Sequence, residues 1–309
     1  MSPPASANPA APATSPEVVR FNKVTKTFGT GSSAKVAIQD VSCVVHDLPN
    51  AGELIAIVGP SGCGKSTLLR IIAGLRPHFP ATSGNAQVFG KPIEKPDADR
   101  GMVDQKYSLM PHLTVLENIA FGLRLRGVGG RERRDRARDW AKKVGLDGAE
   151  DKYSSELSGG MQQRVSIAAT LILEPKILLM DEPFGALDPK IRMQMQELLV
   201  QLWKEQQSTV FLVTHSMDEA IYLGDRVMRM AAKPGRLVEE LQLPPEAYTL
   251  PQPQTFMALP INLRGHSGAG GYIGLYKVLM VTVIKKNLME LPGKRKGFAL
   301  LMSIMHMVC

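Results

Sequence analysis

No stretch of this 309-residue chain stays apolar for the ~20 residues that a membrane-spanning helix needs. "VLMVTVI" (278–284) stops at Lys285-Lys286 and "GFALLMSIMHMVC" (297–309) is short, so the chain is not expected to span a bilayer. Cysteine is scarce: Cys43, Cys63 and Cys309 have unrelated spacings, which suits neither a disulfide framework nor a cysteine metal site and fits a reducing cytosol. The first sixteen residues, "MSPPASANPAAPATSP", lack any charge or aromatic ring and are expected to form a disordered leader. Without a basic n-region or an apolar h-region they do not make a secretory signal. Acidic residues nearly vanish at the other end, where residues 251–309 carry seven Lys/Arg against Glu290 alone. That segment holds +6 of the total charge of +8, so the first 250 residues are nearly neutral. A nucleic-acid partner is therefore not expected of the folded body.

What is present is an alternation of strand-like and helix-like segments. "VVRFNKVTKTFG" and "VAIQDVSCVV" are β-rich and separated by the turn-like "TGSSAK". "ELIAIV" (53–58) is a short continuous apolar run, the pattern of a strand buried on both faces. Residues 65–73 follow as a helix. "LTVLENIAFGLRLRG" and "RERRDRARDWAKKVGL" continue in helical pattern, and the charge run of the second suits a solvated helix face better than an RNA-binding patch. "KILLMDEP" (176–183), "STVFLVTH" (208–215) and "DRVMRM" (225–230) are further strands, with helices between the first two. Such alternation predicts an α/β fold with a mostly parallel sheet, whose ligands bind at the carboxyl ends of the strands. No internal repeat interrupts the pattern.

The polar residues gather at those ends. Gly59–Ser66, "GPSGCGKS", fits G-x-x-x-x-G-K-[ST] between a strand and a helix. Glycines let successive N–H groups turn inward on a phosphate, and the helix N-terminus adds positive potential. Lys65 reaches the β- and γ-phosphates, and the Ser66 hydroxyl suits Mg²⁺. A plain glycine turn with a lysine at a helix start is the alternative, which the flanking strand and helix disfavour. "ILLMDEP" delivers Asp181 to hold the Mg²⁺ shell and Glu182 to orient or deprotonate the attacking water; alone, such an acidic pair would read as a helix cap. His215 ends "TVFLVTH" where a γ-phosphate contact is needed, although lone histidines at strand ends are ordinarily structural. "LSGGMQQR" puts Ser158 and two glycines before a second helix, a second anion cradle that a single nucleotide site does not require. A head-to-tail dimer does require it, because each copy's second cradle can close on its partner's γ-phosphate.

"GPSGCGKST", "LSGGMQQR", "ILLMDEPFGALD" and "THSMDEA", in this order, closely resemble the ATPase subunits of ABC transporters, over about residues 17–245. The resemblance implies a P-loop NTPase core of ABC type with an antiparallel β subdomain near the N-terminus and an inserted helical subdomain at about 105–164. Residues 1–16 precede this cassette, and 246–309 form a basic tail that matches no family pattern. The tail's composition fits both a partner-binding helix and a non-native reading-frame end. Around the nucleotide the resemblance implies Gly59, Pro60, Ser61, Gly62, Cys63, Gly64, Lys65, Ser66 and Thr67, with Phe28 stacking on adenine. Ser66, Asp181 and Gln105 serve Mg²⁺, the glutamine linking it to the transmembrane partner. Glu182 becomes the base, His215 the switch histidine, and Asp188 a dimer contact. Ser158, Gly159, Gly160, Met161 and Gln162 become a signature acting in trans.

The implied ligands are ATP and Mg²⁺. The implied partners are a second copy of the chain, permease subunits and a solute-binding protein, on the cytoplasmic face of the plasma (inner) membrane. "RGMVDQKYSLMPHLTVLENIAFGL", "MDEPFGALD" and "AAKPGR" resemble most the importer branch serving nitrate, sulfonate and taurine. Two positions depart from it: Asp104 stands where that branch usually has an aromatic, and His112 where it has tryptophan. Importers of polyamines or metals are the nearest alternative. A soluble ABC ATPase acting on DNA would carry a long coiled coil, and a ribosomal one two cassettes. A regulatory cassette would lack Lys65 or Glu182, and an exporter would be expected to carry a fused membrane segment.

Overall fold

The computed structural model describes residues 15–48, 52–105 and 108–243. Most of the expected leader and all of the expected tail lie outside these residues. In chain order the elements are β1 (Glu17–Phe28), β2 (Lys35–His46), β3 (Leu54–Val58), α1 (Lys65–Ala73), β4 (Ser83–Val88), β5 (Lys91–Pro92) and β6 (Arg100–Val103). Then come α2 (Val115–Leu125), α3 (Gly130–Lys143), α4 (Gly159–Leu171), β7 (Ile177–Asp181), α5 (Pro189–Gln206), β8 (Thr209–Val213), α6 (Met217–Leu223), β9 (Arg226–Ala231) and β10 (Arg236–Gln242).

The strands make two sheets. One is antiparallel, in the order β2-β1-β4-β5; the other runs β10-β9-β3-β8-β7-β6 and is parallel apart from β10. β3, β7 and β8 are buried at all five of their positions, because each is covered on both faces. Their apolar runs made them legible in the sequence. β4, β5 and β6 are short or polar and lie toward sheet edges, and β10 alternates exposed and half-buried residues. Such strands carry no continuous apolar signal, and the sequence reading did not include them. It also passed over α6, although Ser216 and Glu219 stand in the S-x-x-E spacing that opens a helix, and the Ser216 Oγ does accept from the Glu219 N–H.

α3 buries only Ala137 and Ala141 of its fourteen residues, so its charge run does face solvent. α2 opens on a full capping box between Thr114 and Glu117. A shared apolar core joins Phe21, Val24 and Ile38 of the antiparallel sheet, Leu69 and Ile72 of α1, and Ile55 and Ile57 of β3. α1 is thus held between the two sheets at the carboxyl end of β3. Registry does the rest: Ile57 pairs with Val213 and Asp181 pairs with Val213, so β3, β8 and β7 end side by side.

At the opposite end of β3 the sheet is fastened by charge. Arg226 donates to both oxygens of Glu53, at 2.7 and 2.6 Å, and to Glu240 at 2.6 Å. Glu53 is 2% exposed, and burial pushes its carboxyl up from the usual glutamate range even though Arg226 opposes the shift. A raised carboxyl pKa means that folding is penalised as pH rises through the ordinary glutamate range toward the raised value, and Arg226 limits that penalty. Arg226→Met should therefore destabilise the fold by about 3–5 kcal/mol near pH 7, the effect of leaving a buried charge alone. The loss should shrink at a lower pH, where protonation of Glu53 removes the unpaired charge. Urea unfolding at the two pH values checks both statements.

Candidate functional site

β3 ends at Val58 and α1 starts at Lys65, so six residues must turn the chain around an open centre. Two glycines are required by their surroundings. A Cβ on Gly59 would stand 2.5 Å from the Met230 carbonyl oxygen of β9. Gly64, the N-cap of α1, has φ +93°, and a Cβ there would run into the Ile38 side chain of β2. The first helical turn directs its N–H groups and positive end at this centre. Lys65 is 5% exposed and donates from Nζ to the carbonyls of Gly59 at 2.8 Å and Pro60 at 3.2 Å. A buried ammonium is thus satisfied by its own loop, through acceptors that anionic oxygens can replace. Pro60, Ser61 and Gly62 are exposed on the loop, whereas Cys63 and Thr67 are buried.

The carboxyl ends of β7 and β8 meet this loop. Ser66 Oγ donates to Asp181 Oδ1 at 2.7 Å. Burial pushes the Asp181 carboxyl up from the aspartate range; the Ser66 hydroxyl and Arg70 oppose that shift, and Asp104 and Glu182 add to it. A buried carboxylate beside a hydroxyl is a pair of hard oxygen donors. Among the described residues no group of three or more His, Cys, Asp and Glu could hold a metal ion. The Ser66 hydroxyl and the Asp181 carboxylate, 2.7 Å apart, suit a cation that completes its shell with phosphate oxygens and water, as Mg²⁺ does. Glu182 follows with φ +50°, a left-handed conformation that non-glycine residues seldom adopt, and its N–H donates to the Val213 carbonyl. Its Oε2 lies 3.5 Å from Nδ1 of His215 and accepts from Gln105 Nε2 at 3.4 Å. His215 stands two residues beyond β8, more exposed than the strand-end position expected for it, with a side-chain exposure of 64%.

The other expected residues sit on a second surface. Ser158 caps α4, accepting from the Met161 N–H at 3.4 Å, and Gln162 Nε2 donates to the carbonyls of Ser154 and Leu157. Asp188 caps α5 by accepting from the Ile191 N–H at 3.1 Å. These two helix starts touch, since a Cβ on Gly160 would come within 2.6 Å of Ile191. Ser158, Gly159 and Asp188 are exposed, and the side-chain bonds of Ser158 and Asp188 stay within their own first turns instead of reaching residues 59–67. Phe28, at the end of β1, is half-buried with its ring edge-on to His78 (centroids 5.3 Å apart) and Lys26 Nζ 5.2 Å above it.

Residues 46–185 match the family model described as "ABC transporter". An uncharacterized ABC transporter ATP-binding protein of Methanocaldococcus jannaschii is 47% identical over 225 residues, covering 73% of this chain and 82% of that protein. The chain belongs to the ABC transporter family of ATP-binding proteins. A taurine import ATP-binding protein of Rhizobium johnstonii is 50% identical over 200 residues, 65% of this chain and 75% of that one. Among solved structures, the dimeric post-hydrolysis state of an ATP-binding cassette bound to ADP and Pi superposes with a TM-score of 0.63 at 34% identity, covering 72% of this chain and 98% of that one. The fold is accordingly an ABC-type P-loop core, and the cassette binds and hydrolyses ATP.

Two features of the cassette escaped the sequence reading. Arg70 reaches both Asp104 and Asp181, at 3.4 Å each; its position four residues after Ser66, on the same helix face, was the available signal. Glu219 accepts from the Thr214 hydroxyl at 2.6 Å and Gln196 at 3.2 Å, and lies 3.7 Å from Arg192, which also donates to the Phe184 and Leu187 carbonyls. That network ties the turn carrying His215 to the loop that ends at Asp188. Gly64→Ala should leave a cooperative melt, with stability lowered by more than the ~1–2 kcal/mol of left-handed strain, because the added Cβ also meets buried Ile38 and the Ala37 carbonyl. It should also weaken ATP binding about tenfold or more, since one misdirected N–H bond of roughly 1.4 kcal/mol is a factor of ten. Fluorescence titration beside the melt measures both.

Proposed function

We propose that this cassette energises import of a small anionic solute, a sulfonate such as taurine or a related anion such as nitrate, through separate permease subunits. The observation that carries the reading is the 50% identity to a taurine import ATP-binding protein, three quarters of whose length the chain covers. The cassette works as a homodimer at the cytoplasmic face of the membrane, with a solute-binding protein supplying the cargo. Among the described residues no helix is long and apolar enough to cross a membrane, which is compatible with a peripheral subunit.

In this reading Lys65 exchanges the Gly59 and Pro60 carbonyls for β- and γ-phosphate oxygens, and Phe28 stacks on adenine. Ser66 and Asp181 hold Mg²⁺, with Gln105 linking that site to the permease; the cation neutralises charge on the β- and γ-phosphates when bound. Glu182 takes the proton of the water that attacks the γ-phosphorus as the bond to the β–γ bridging oxygen breaks. His215 and Gln105 keep the carboxylate aimed. Ser158, Gly159, Gly160, Met161 and Gln162 present the N-terminus of α4 to the γ-phosphate bound by the other copy, with Asp188 beside them at the contact. Two bound ATP molecules close the pair, and hydrolysis reopens it.

Glu182→Gln should bind ATP but turn over at least ~10²-fold more slowly, the usual effect of losing a general base, and should accumulate as an ATP-held dimer on size exclusion. A normal rate would remove Glu182 from the chemistry. Ser158→Arg should keep the ATP affinity of the monomer and lose both dimerisation and hydrolysis; full ATPase activity independent of protein concentration would show a site complete within one chain. For the cargo, cells deleted for this cassette should lose uptake of radiolabelled taurine or nitrate, and unchanged uptake of both would refute the substrate class.

A further inference from the structure

Arg70 leaves α1 on the same face as Ser66 and is shared between two acids. Its NH2 lies 3.4 Å from Oδ2 of Asp181 and donates to Oδ1 of Asp104 at 3.4 Å. Ser66 occupies the other oxygen of Asp181, and Ser108 donates to the other oxygen of Asp104 at 3.5 Å. The side chains of Arg70 and Asp104 are about one-third exposed, at 34% and 33%, whereas that of Asp181 is 6% exposed. One guanidinium nitrogen therefore serves a deeply placed carboxylate beside the phosphate loop and a shallower one that directly precedes Gln105. Nothing in the P-loop pattern asks for the second acid.

We infer that Arg70 is a positioning residue for which Asp181 and Asp104 compete, and that Asp104 sets how readily a divalent cation displaces it. This rests on the assignment of Ser66 and Asp181 to Mg²⁺. Before the cation arrives, Arg70 supplies the positive charge that the buried Asp181 needs. Ser66 and Asp181 would hold a cation that supplies this charge instead, leaving the guanidinium to Asp104. Asp104 is joined by one peptide bond to Gln105, whose amide reaches Glu182. Metal arrival is thereby transmitted to the segment that leads into α2. Asp104 and Arg70 have opposite effects on the exchange: Asp104 draws Arg70 away from Asp181 and favours the cation, while Arg70 itself opposes the cation by like charge.

The test is the Mg²⁺ dependence of binding of a fluorescent ADP analogue to the full-length chain, which involves no turnover. Asp104→Asn is isosteric and partly exposed, so the chain should fold. It leaves Arg70 to Asp181 alone and should raise the half-saturating Mg²⁺ concentration by about three- to fivefold, the range of a partly exposed ion pair. Arg70→Gln should lower it by a similar factor, and Arg70→Lys should restore part of the difference because it keeps the charge. Thermal melts confirm that each variant is folded. Shifts of the same sign in Asp104→Asn and Arg70→Gln, or no shift in folded Asp104→Asn, would overturn the competition. If the unsubstituted chain binds the analogue with no Mg²⁺ dependence at all, the Ser66–Asp181 assignment fails and the competition with it.

Discussion

The structure depends on burying β3, β7 and β8 from both sides. The fifteen residues of these strands are buried, and a polar side chain among them would have to find a partner inside the sheet. Apart from Asp181 at the end of β7 and Thr209 at the start of β8, they are all apolar. Polar chemistry is thereby pushed to the strand ends. Parallel pairing in register aligns those ends, so the phosphate loop, the Asp181-Glu182 pair and the turn with His215 emerge together.

The price of that arrangement is charge in a dry place. Lys65 is nearly inaccessible and answers with its own loop's carbonyls, while Asp181 answers with Ser66 and Arg70. Both solutions use exchangeable partners. An anionic phosphate is a better acceptor for Lys65 than a neutral carbonyl, and a divalent cation is a better partner for Asp181 than a guanidinium shared with another acid. Electrostatic penalties accepted on folding would be relieved on binding, which is the physical basis for proposing phosphate at Lys65 and a divalent cation at Asp181. Glu182 is subject to less burial, and its left-handed backbone turns the carboxylate away from the direction of β7 and toward Gln105 and His215.

The second surface obeys a different rule. α4 and α5 begin side by side, and Gly160 is needed because Ile191 leaves no room for a Cβ. Exposed Ser158 and Asp188 cap helices of thirteen and eighteen residues, so two helix N-termini face outward together. The Glu219–Arg192 network connects this surface to the turn of His215 through hydrogen bonds and backbone carbonyls. A change at the phosphate end of β8 therefore has a physical path to the surface proposed to meet the other copy.

Much of this was legible in the residue order, and the reason is locality. The glycines, lysine and serine of 59–66 act within one loop, so their spacing is their geometry. Strands covered on both faces must be continuously apolar, which exposed β3, β7 and β8 to simple inspection, while β4 and the edge strands β5, β6 and β10 bury too little to leave such a mark. Pairings across the chain were legible only where motifs named a shared ligand, as with Ser66 and Asp181 at Mg²⁺. Arg70 and Asp104 are 34 residues apart, Ser66 and Asp181 115, and Gln105 and Glu182 77. The motifs announced which chemistry to expect at Ser66, Asp181 and Glu182, but an arginine in the middle of α1 is unremarkable until the sheet order brings β6 and β7 side by side and sets both acids against it. Local backbone demands are written in adjacent residues, whereas the balance of buried charges depends on distances that exist only once the strands have been ordered.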